Sequence, residues 1–529
     1  MLGHAAYLMG LALLAMLVAA SDLSGSRGAI VVIGALGAWR YSWAALNFTR
    51  AVWFRRVVYP KRKAQAFATN KERKQPARAH FLVTSYRIPT DVSLRVYRSV
   101  FDAAMAAPGG AQVVASVVDA ADARLVQTLF DLHCKDVKGV RLTIDRIPGT
   151  GKRDALAAGL RLIAKTCPTR QDVVVLVDGD SCVPIDIVEQ SAPFFTDPRV
   201  GGLTTDEAAE IAEAGLFQDW FRLRFDQRQV MMCSMGLSGR VLTLTGRMSV
   251  FRADLATNPE FIRLVQHDHI DHWRFGRLEF LTGDDKSTWY WLLKQGFEMA
   301  YLPDVKSLSM ESQPKPSFIN SAVTLMTRWF GNMLRTDARA LALPRRDIGT
   351  FVWWSLLDQR ISIWTTLAGP TAALTAALLY DPMILVAYAA WVLFTRYVFC
   401  TALSAFRGRG FPITYPVLLY FSQFVGALVK SHVTFRLDRQ KWTRQTTVSS
   451  FGVGAPQGSS WRKVARQLGT GYLHALAVGW LLLGVFYLVG YDEGICPFRP
   501  KRWPHQTICR PKPRFLAMSL AWLRRYSKI

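Results

Sequence analysis

The chain has few cysteines and few acidic residues for its length, and both shortages limit what it can be. Its seven cysteines are scattered over 529 residues without a C-x-x-C pair, so neither a disulfide framework nor a zinc site is indicated. Asp and Glu total 39 against 65 Lys and Arg, a formal net charge of +26. This excess of positive charge favours anionic partners such as lipid head groups, nucleotides, nucleic acid or a polyanionic product. The sequence has no internal repeat or low-complexity segment, and its length is sufficient for two or three domains.

The N-terminal region is apolar but lacks the features of a secretory signal. Residues 3–20 are long enough to cross a bilayer, whereas a basic n-region and a convincing cleavage site are missing. Residues 29–48 form a second apolar stretch, and a dense basic run follows at 50–78. The positive-inside rule places that run, the N-terminus and the next domain in the cytosol. We therefore predict two transmembrane helices in residues 1–49.

Residues 50–316 are predicted to form a cytosolic α/β domain. Strand and helix patterns alternate, with strands at 81–86, 112–118 and 140–147 and helices at 92–106, 121–133 and 152–164. This alternation is typical of a parallel sheet with helices on both faces.

The segment D-V-V-V-L-V-D-G-D, which starts at Asp172, is central to this domain. Its apolar, β-branched run predicts a strand buried on both faces. The strand ends in Asp178 and Asp180, which share a face because alternate residues of an extended chain point the same way. Ligands bind beyond the carboxyl ends of such strands. Neighbouring carboxylates repel each other, so we predict that they hold Mg²⁺ or Mn²⁺ together with a diphosphate. A polar turn after a core strand is the alternative.

The segment G-T-G-K-R-D at 149–154 lies at a strand-to-helix junction. It is not a phosphate loop, because Arg146 replaces the first glycine and Arg153 replaces the Ser or Thr that holds Mg²⁺. A glycine turn into a helix start with Lys152 still suits an anion, and an ordinary helix start is the alternative.

A second pair of acids, Asp284 and Asp285, follows an apolar, strand-like run at 278–282. The segment T-G-R-M at 245–248 lies between the two acid pairs. Further along the chain, R-W at 328–329 lies in an amphipathic helical stretch that leads into the apolar C-terminal half.

The C-terminal half alternates apolar stretches with basic boundaries. Residues 358–360 are polar and are predicted to break a long apolar run, and a basic run after 435 favours an interfacial or protein-packed helix at 411–435. The charge rule leaves the side of the basic tail open. The predicted order is interfacial amphipathic helices at 317–360, two transmembrane helices at 361–403, an interfacial helix and cytosolic loop at 404–468, a last transmembrane helix at 469–490 and the tail at 491–529.

The order of these motifs resembles the processive, membrane-embedded glycosyltransferases of family 2, which include cellulose, chitin and hyaluronan synthases. The shared pattern covers roughly residues 30–450 and runs D-G-D, T-G-x-x-x-x-F-R, G-D-D and R-W ahead of membrane helices. The resemblance implies a nucleotide-sugar transferase domain of the GT-A type, inserted in an α-helical multi-pass membrane domain. Finer segments resemble one branch, the catalytic subunits of bacterial alginate polymerases (mannuronan synthases): V-T-S-Y-R-I at 83–88, G-T-G-K-R-D at 149–154, G-G-L-T-T at 201–205, C-S-M-G-L-S at 233–238, L-T-G-R-M-S-V-F-R at 244–252, L-T-G-D-D-K-S at 281–287 and F-R-L-D-R-Q-K-W-T-R-Q at 435–445.

The resemblance also implies roles for individual residues. Asp178 and Asp180 would bind the metal and the sugar diphosphate, and Asp285, next to Asp284, would be the general base that deprotonates the acceptor hydroxyl. The residues implied in nucleotide binding are Thr84, Tyr86, Arg87, Asp119, Lys152 and Asp154. Those implied in contact with the acceptor or polymer are Thr245, Gly246, Arg247, Arg328 and Trp329, and those in a loop that closes over the nucleotide are Trp442, Thr443 and Arg444.

The chain departs from the family pattern at two places. Asp119 begins D-A-A where the family has D-D-G, which weakens its assignment, and Leu325 replaces the Gln of Q-x-x-R-W, which puts that motif's full contact in doubt.

The reaction that the resemblance implies is processive, inverting transfer of mannuronate from GDP-mannuronate to a growing polyuronate chain. The product, the alginate precursor polymannuronate, would cross the bacterial inner membrane, with the catalytic domain in the cytosol. Membrane lipids are further implied partners. Too few residues follow the last span to form a cyclic-di-GMP receptor domain, so that domain would belong to a partner membrane subunit. A synthase of another polysaccharide that uses a UDP-sugar, and a catalytically inactive conduit or scaffold, are the alternatives.

Two arginines, Arg40 and Arg396, interrupt apolar spans. A mid-span arginine costs about 2.5–3.5 kcal/mol on insertion scales, so it is expected either to face the helix bundle or to snorkel to the head groups. If both face the bundle, they would line the exit path of a polyanion, whose charge a low-dielectric channel otherwise rejects.

Other features are interpreted without a functional role. The segment H-D-H-I-D-H at 267–272 looks like a metal cluster but lacks the i,i+4 spacing of helical ligands. Basic runs border apolar stretches, so membrane topology explains them without nucleic acid. Cys496 and Cys509 would pair only if the tail faced an oxidising compartment.

Overall fold

The computed structural model describes residues 2–73, 75–279, 281–439 and 460–490. Its centre is an eight-stranded sheet in the order β3-β2-β1-β4-β7-β6-β10-β5, accompanied by a separate two-stranded sheet, β8-β9. The strands are β1 Ala79–Thr84, β2 Ala111–Val117, β3 Val140–Arg146, β4 Val173–Asp178, β5 Ser181–Cys182, β6 Val200–Ile211, β7 Met248–Arg252, β8 His269–His272, β9 Gly276–Glu279 and β10 Glu298–Glu311.

Helices surround the main sheet, and further helices precede and follow its strands in the sequence. They are α1 Leu2–Ala19, α2 Arg27–Trp53, α3 Tyr59–Lys71, α4 Thr90–Met105, α5 Ala120–His133, α6 Lys152–Ala164, α7 Ile187–Ser191, α8 Leu216–Gly236, α9 Ala253–Ala256, α10 Pro259–Gln266, α11 Asp284–Lys294, α12 Phe318–Leu341, α13 Arg345–Ile348, α14 Thr350–Leu379, α15 Met383–Arg407, α16 Tyr415–Thr434 and α17 Ser460–Gly490.

The first half of the sheet follows the sequence pattern closely. β3, β2, β1 and β4 are parallel to one another, and the helices between them, α4 to α6, begin and end within two residues of the predicted limits. β1 and the apolar part of β4 are fully buried because helices cover both faces. The carboxyl ends of these strands therefore meet at one edge, as predicted.

The second half of the sheet corrects the prediction of an all-parallel sheet. β7 runs antiparallel to both β4 and β6, and β5 runs antiparallel to β10. The alternation of patterns could not show this, because the periodicity of a strand carries no information on its direction. The reversal delivers the start of β7 to the carboxyl end of β4: the Asp178 amide donates to the Arg247 carbonyl over 3.0 Å.

The strand-like run predicted at 278–282 is also different in the structure. Its first residues belong to β9, which pairs with β8 in a hairpin outside the main sheet, and Phe280 lies outside the described residues. Asp284 and Asp285 consequently stand in the first turn of α11 and not at a strand end. Negative charge is stabilised there by the unpaired amides and the dipole of the helix.

Five helical stretches in the described part of the chain are long and apolar enough to cross a membrane: Leu2–Ala19, Ser24–Lys71, Thr350–Leu379, Met383–Arg407 and Leu468–Gly490. α16 is not among them. It packs against α12, α14 and α15 and buries Leu418, Leu419 and Val429, in line with a helix packed within protein.

The predicted break at 358–360 does not occur, because α14 is a continuous helix across it. Asp358 pairs with Arg40 of α2 over 2.5 Å, and Arg360 donates to the Leu334 carbonyl over 2.7 Å. Polar residues that find partners on neighbouring helices do not interrupt a helix, so the boundary predicted between 360 and 361 falls inside α14.

Two sets of predictions lie outside the described residues. Trp442, Thr443 and Arg444 belong to the segment 440–459, and Cys496 and Cys509 belong to 491–529.

Candidate active site

The end of β4 approaches the end of β1 unusually closely. The parallel register sets Asp178 beside Thr84, and the Gly179 amide donates to the Thr84 carbonyl over 3.0 Å. A Cβ at Gly179 would lie 2.7 Å from Ser85 Oγ and 2.9 Å from Thr84 O, which is too close for any side chain. The glycine of D-G-D is thus required by packing, and it lets Asp178 stand at the strand end beside Thr84.

Four stretches that are distant in sequence meet around Gly246. A methyl group at this position would lie 3.6 Å from Lys152 Nζ, 3.7 Å from Asp178 Oδ2 and 3.9 Å from Asp285 Cβ. The G-T-G-K, D-G-D, T-G-R-M and G-D-D segments therefore form one site, as expected from their order. Because Gly246 has no side chain, the space between the acids stays open.

Lys152 is the cation at the centre of these acids. Its Nζ lies 2.6 Å from Asp178 Oδ1 and 3.0 Å from Asp284 Oδ2. Burial by itself would lower the pKa of Lys152, but the two carboxylates outweigh it and raise the pKa above its ordinary value. Lys152 is accordingly charged at neutral pH and offsets part of the repulsion between the acids. Its resemblance-based role at the nucleotide stays a prediction.

The acids themselves are poorly solvated. Burial raises the pKa of Asp178 to about 7, with Lys152 opposing the rise and Asp180 and Asp284 adding to it. Burial also raises the pKa of Asp285, and its neighbour Asp284 contributes to the rise. Perturbed acids in a cleft are typical of a functional site, where chemistry requires groups that a solvated surface does not provide.

A buried network fixes the turn that precedes α11. Arg153 donates to the Leu281 carbonyl over 2.5 Å and to Ser287 Oγ over 2.8 Å. Ser287 donates to Asp268 over 2.5 Å, and Asp268 accepts two further bonds from Arg339 at 2.7 and 2.9 Å. Asp268, which belongs to the H-D-H-I-D-H segment interpreted above without a metal, thus serves as an ion-pair partner. Arg153, which departs from the phosphate-loop pattern, anchors the turn that carries the second acid pair.

A cavity of about 830 Å³ opens from the acid cluster, a volume within the range of small-molecule sites. Of the predicted site residues, it is lined by Thr84, Tyr86, Lys152, Asp178, Asp180, Thr245, Gly246, Arg247, Asp284, Asp285, Arg328 and Trp329. The structure therefore brings most of the predicted residues to one cavity. Thr84 Oγ1 is buried there without a hydrogen-bond partner among the described residues, as expected of a group that awaits a ligand.

Three predicted nucleotide contacts do not line this cavity. Arg87 and Asp119 are exposed, and Arg87 rests against the ring of Tyr86. Asp154 accepts a hydrogen bond from Gln266 over 2.9 Å. Their roles stay predictions that the cavity does not support.

α8 and α12 also line the cavity, and α8 is the part that sequence reasoning missed. Phe221, Arg224, Phe225 and Arg228 line the cavity because residues three and four apart share one face of a helix. The spacing of aromatic and basic residues in W-F-R-L-R-F-D-Q-R was the available signal. Trp329 of α12 stacks on Trp220 of α8, with ring centroids 5.9 Å apart.

The two mid-span arginines contact neighbouring helices. Arg40 pairs with Asp358 over 2.5 Å. Arg396 donates to Gln423 over 2.8 Å and to Tyr41 over 3.2 Å. Both side chains therefore have protein partners inside the helical region.

Within the described residues, no group of three or more His, Cys, Asp or Glu side chains is arranged to hold a metal ion. The donors that fit a hard cation are the carboxylates of Asp178 and Asp180, which both line the cavity. Asp178 already accepts a bond from Lys152, so a bound cation would share this carboxylate with the ammonium group or displace it.

The chain is similar to known proteins in sequence and, more weakly, in structure. The family model described as "Glycosyltransferase like family 2" matches residues 76–332. The chain is 42% identical over 438 residues to the "Glycosyltransferase alg8" of Pseudomonas syringae pv. tomato, covering 82% of this chain and 88% of the relative. It is 42% identical over 425 residues to the protein of the same name from Azotobacter vinelandii, covering 80% and 85%. A solved structure of the mannosyltransferase PcManGT from Pyrobaculum calidifontis, in complex with GDP-Man and Mn²⁺, aligns with a TM-score of 0.46 at 17% identity over 76% of this chain and 98% of that one.

Proposed function

The chain belongs to the family 2 glycosyltransferases that include the alg8 proteins, and from this we propose that it polymerises mannuronate from GDP-mannuronate into polymannuronate. The observation that carries the proposal is the convergence of Lys152, Asp178 and Asp285 around Gly246 at the mouth of a cavity of about 830 Å³. Such a site can bind a diphosphate, supplies a carboxylate that can act as the base, and has room for two sugars.

The donor end of the site is assigned to Asp178, Asp180 and Lys152. Asp178 and Asp180 would hold a Mg²⁺ or Mn²⁺ ion, which when bound offsets negative charge on the diphosphate. Lys152 is a second positive charge that the diphosphate would meet at the same place. Thr84 lies beside Asp178 with an unsatisfied hydroxyl, so we assign it to the nucleotide as well, together with Tyr86.

The base is assigned to Asp285 in preference to Asp284. Asp284 is engaged by Lys152 over 3.0 Å, whereas Asp285 forms no ion pair with any described residue. Burial raises the pKa of Asp285, which makes it a stronger proton acceptor than a solvated carboxylate. In the proposed step the acceptor hydroxyl attacks the anomeric carbon, its proton passes to Asp285, and the nucleoside diphosphate leaves. The configuration of the anomeric carbon is thereby inverted.

Processive synthesis and export are the further parts of the proposal. The acceptor would occupy the part of the cavity that Arg247, Arg328 and Trp329 line. This part would adjoin the helical region. The chain would leave through the membrane helices past Arg40 and Arg396. This arrangement requires that the helices cross the bacterial inner membrane and that the catalytic domain lies on its cytosolic side. A partner membrane subunit with a cyclic-di-GMP receptor domain would supply any control by that nucleotide.

Polymer formation in isolated membranes tests the proposal. Radiolabelled GDP-mannuronate should give a polymer with wild-type protein and at least ~10²-fold less with Asp285→Asn, with and without candidate partner subunits. UDP-sugars offered in parallel should give no polymer. Polymer from a UDP-sugar, and none from GDP-mannuronate in any combination, would refute the proposed donor. Absence of polymer from every donor would favour a conduit or scaffold role.

A further inference from the structure

Three arginines approach the cavity in different surroundings: two lie on α8, and the third, Arg247, directly precedes β7. Arg247 is bonded to Glu311 at 2.7 Å and lies 3.5 Å from Glu207. Arg228 lies 3.3 Å from Glu207. In these two cases a carboxylate of the protein offsets the charge.

Arg224 forms no ion pair with any described carboxylate, although Glu311 and Glu207 act on its charge from a greater distance. Its guanidinium carbon lies 3.6 Å from the ring centroid of Trp329 and 5.1 Å from that of Trp220, which are cation–π contacts. It makes no hydrogen bond or ion pair with any residue in the ranges that the structure describes. A guanidinium on an aromatic face keeps its N–H donors available, because the ring contacts the flat face and not the N–H edge.

Arg224 is also poorly solvated. It lines the cavity, and burial lowers its pKa to about 9, with Arg247 as the next cause. Burial disfavours the charged form of Arg224, and an anion bound next to it would favour that form.

The place of Arg224 in the cavity indicates which anion it meets. The donor diphosphate is assigned above to Lys152 and Asp178. Trp220, which the guanidinium also contacts, donates to Ser422 of α16 over 2.8 Å, so Arg224 lies where the catalytic domain borders the helical region. The unit next to this border is one already added to the chain.

We propose that Arg224 binds the carboxylate of an acceptor uronate and thereby selects an acidic chain over a neutral one. The proposal rests on the function proposed above, which supplies the uronate. A carboxylate suits the two-pronged edge of a guanidinium, whereas the hydroxymethyl group of a neutral sugar accepts only a single hydrogen bond there and brings no negative charge. Trp329 holds the guanidinium in place by contact with its face.

Binding of short oligomers to the full chain in detergent tests this role. The probes are mannuronate oligomers and the same oligomers with their carboxyl groups reduced to alcohols, both in the presence of GDP. The variants are Arg224→Gln, Arg224→Lys and a matched control, Arg222→Gln, which changes an exposed arginine on the same helix.

We expect wild-type protein and Arg222→Gln to prefer the acidic oligomers. Arg224→Gln should weaken their binding by roughly 10- to 100-fold, as for loss of a charged hydrogen bond. The affinity for the reduced oligomers should stay within about 2-fold of the wild-type value. Arg224→Lys should restore part of the preference, because the charge returns without the two-pronged geometry. Affinity for GDP should stay the same in all variants, which also shows that they are folded.

Several results would overturn the assignment. Unchanged acidic-oligomer binding in both Arg224 variants would exclude the carboxylate contact. Equal weakening of both kinds of oligomer would mean that Arg224 only supports the cavity wall. A raised KM for the nucleotide sugar with unchanged oligomer binding would place the contact at the donor. Polymer formation by wild-type protein is measured in the same preparation, so a failure of the proposed donor is seen separately from a failure at Arg224.

Discussion

Replacing Asp268 with asparagine tests whether the segment 267–272 is a structural ion-pair site or a metal site. Asp268 is almost fully buried, with 4% of its side chain exposed, and Arg339, its partner, is 15% exposed. The substitution removes the charge that two Arg339 bonds and one Ser287 bond use. It leaves the guanidinium of Arg339 in a mostly buried place without its counter-charge.

The expected loss of stability follows from this geometry. Removal of one partner of a buried ion pair costs about 3–5 kcal/mol, and the asparagine oxygen still accepts one bond, so we expect about 3 kcal/mol. In a domain of this size, each kcal/mol shifts Tm by about 2–4 °C. Asp268→Asn should therefore lower the Tm of the catalytic domain by about 6–12 °C. Activity should fall with it, because Ser287 and Arg153 position the turn before Asp284.

Thermal unfolding in detergent, followed by tryptophan fluorescence, measures the effect. Asp271→Asn is the matched control, since Asp271 is exposed and lies three residues further on, in β8. Arg339→Met and the double variant complete a cycle, in which the second substitution should cost much less than the first. A change within about 0.5 kcal/mol of the control would refute the ion-pair account. A chelator that lowered the Tm of wild type but not of Asp268→Asn would favour a metal instead.

The same pair predicts a pH dependence. Burial opposes ionisation of Asp268, but Arg339 outweighs it and holds the pKa of Asp268 below its ordinary value. The contribution of this group is therefore fully present above the ordinary carboxyl pKa of about 4 and is lost as the pH falls through the lowered folded value. The Tm difference between wild type and Asp268→Asn should be constant from about pH 6 to 8 and shrink below about pH 4.

Three further predictions concern the reaction and the exit path. Asp178→Asn and Asp180→Asn should each abolish polymer formation and Mn²⁺-dependent binding of GDP; normal GDP affinity in both variants would contradict the metal assignment. Asp285→Asn should bind the donor within a few-fold of wild type but extend chains at least ~10²-fold more slowly, and retained synthesis would assign the base to another acid. Arg396→Gln should shorten chains or slow secretion with nucleotide binding intact, whereas Arg40→Gln also leaves a buried carboxylate unpaired and should lower the Tm. Equal chain length and secretion rate in the double variant, at matched expression, would leave both arginines as membrane anchors.

The sequence by itself was sufficient for the parallel half of the catalytic domain. The strands and helices between β1 and β4 are continuous in sequence, and each carries its own periodicity, so local patterns define their limits. The same patterns place Asp178 at the end of a buried strand. The order of the glycine and acid motifs was enough to predict that Lys152, Gly246 and Asp285 belong to one site.

Only the tertiary structure decided features that depend on contacts between distant segments. The antiparallel direction of β7, the pair between Arg40 and Asp358, and the uninterrupted course of α14 all depend on partners far away in the chain. A polar residue inside an apolar run has the same local pattern whether it breaks a helix or finds an ion-pair partner. Arg224 was missed for the same reason: its neighbours in sequence do not show that its guanidinium lies against two tryptophan rings beside a cavity, without an ion pair to any described residue.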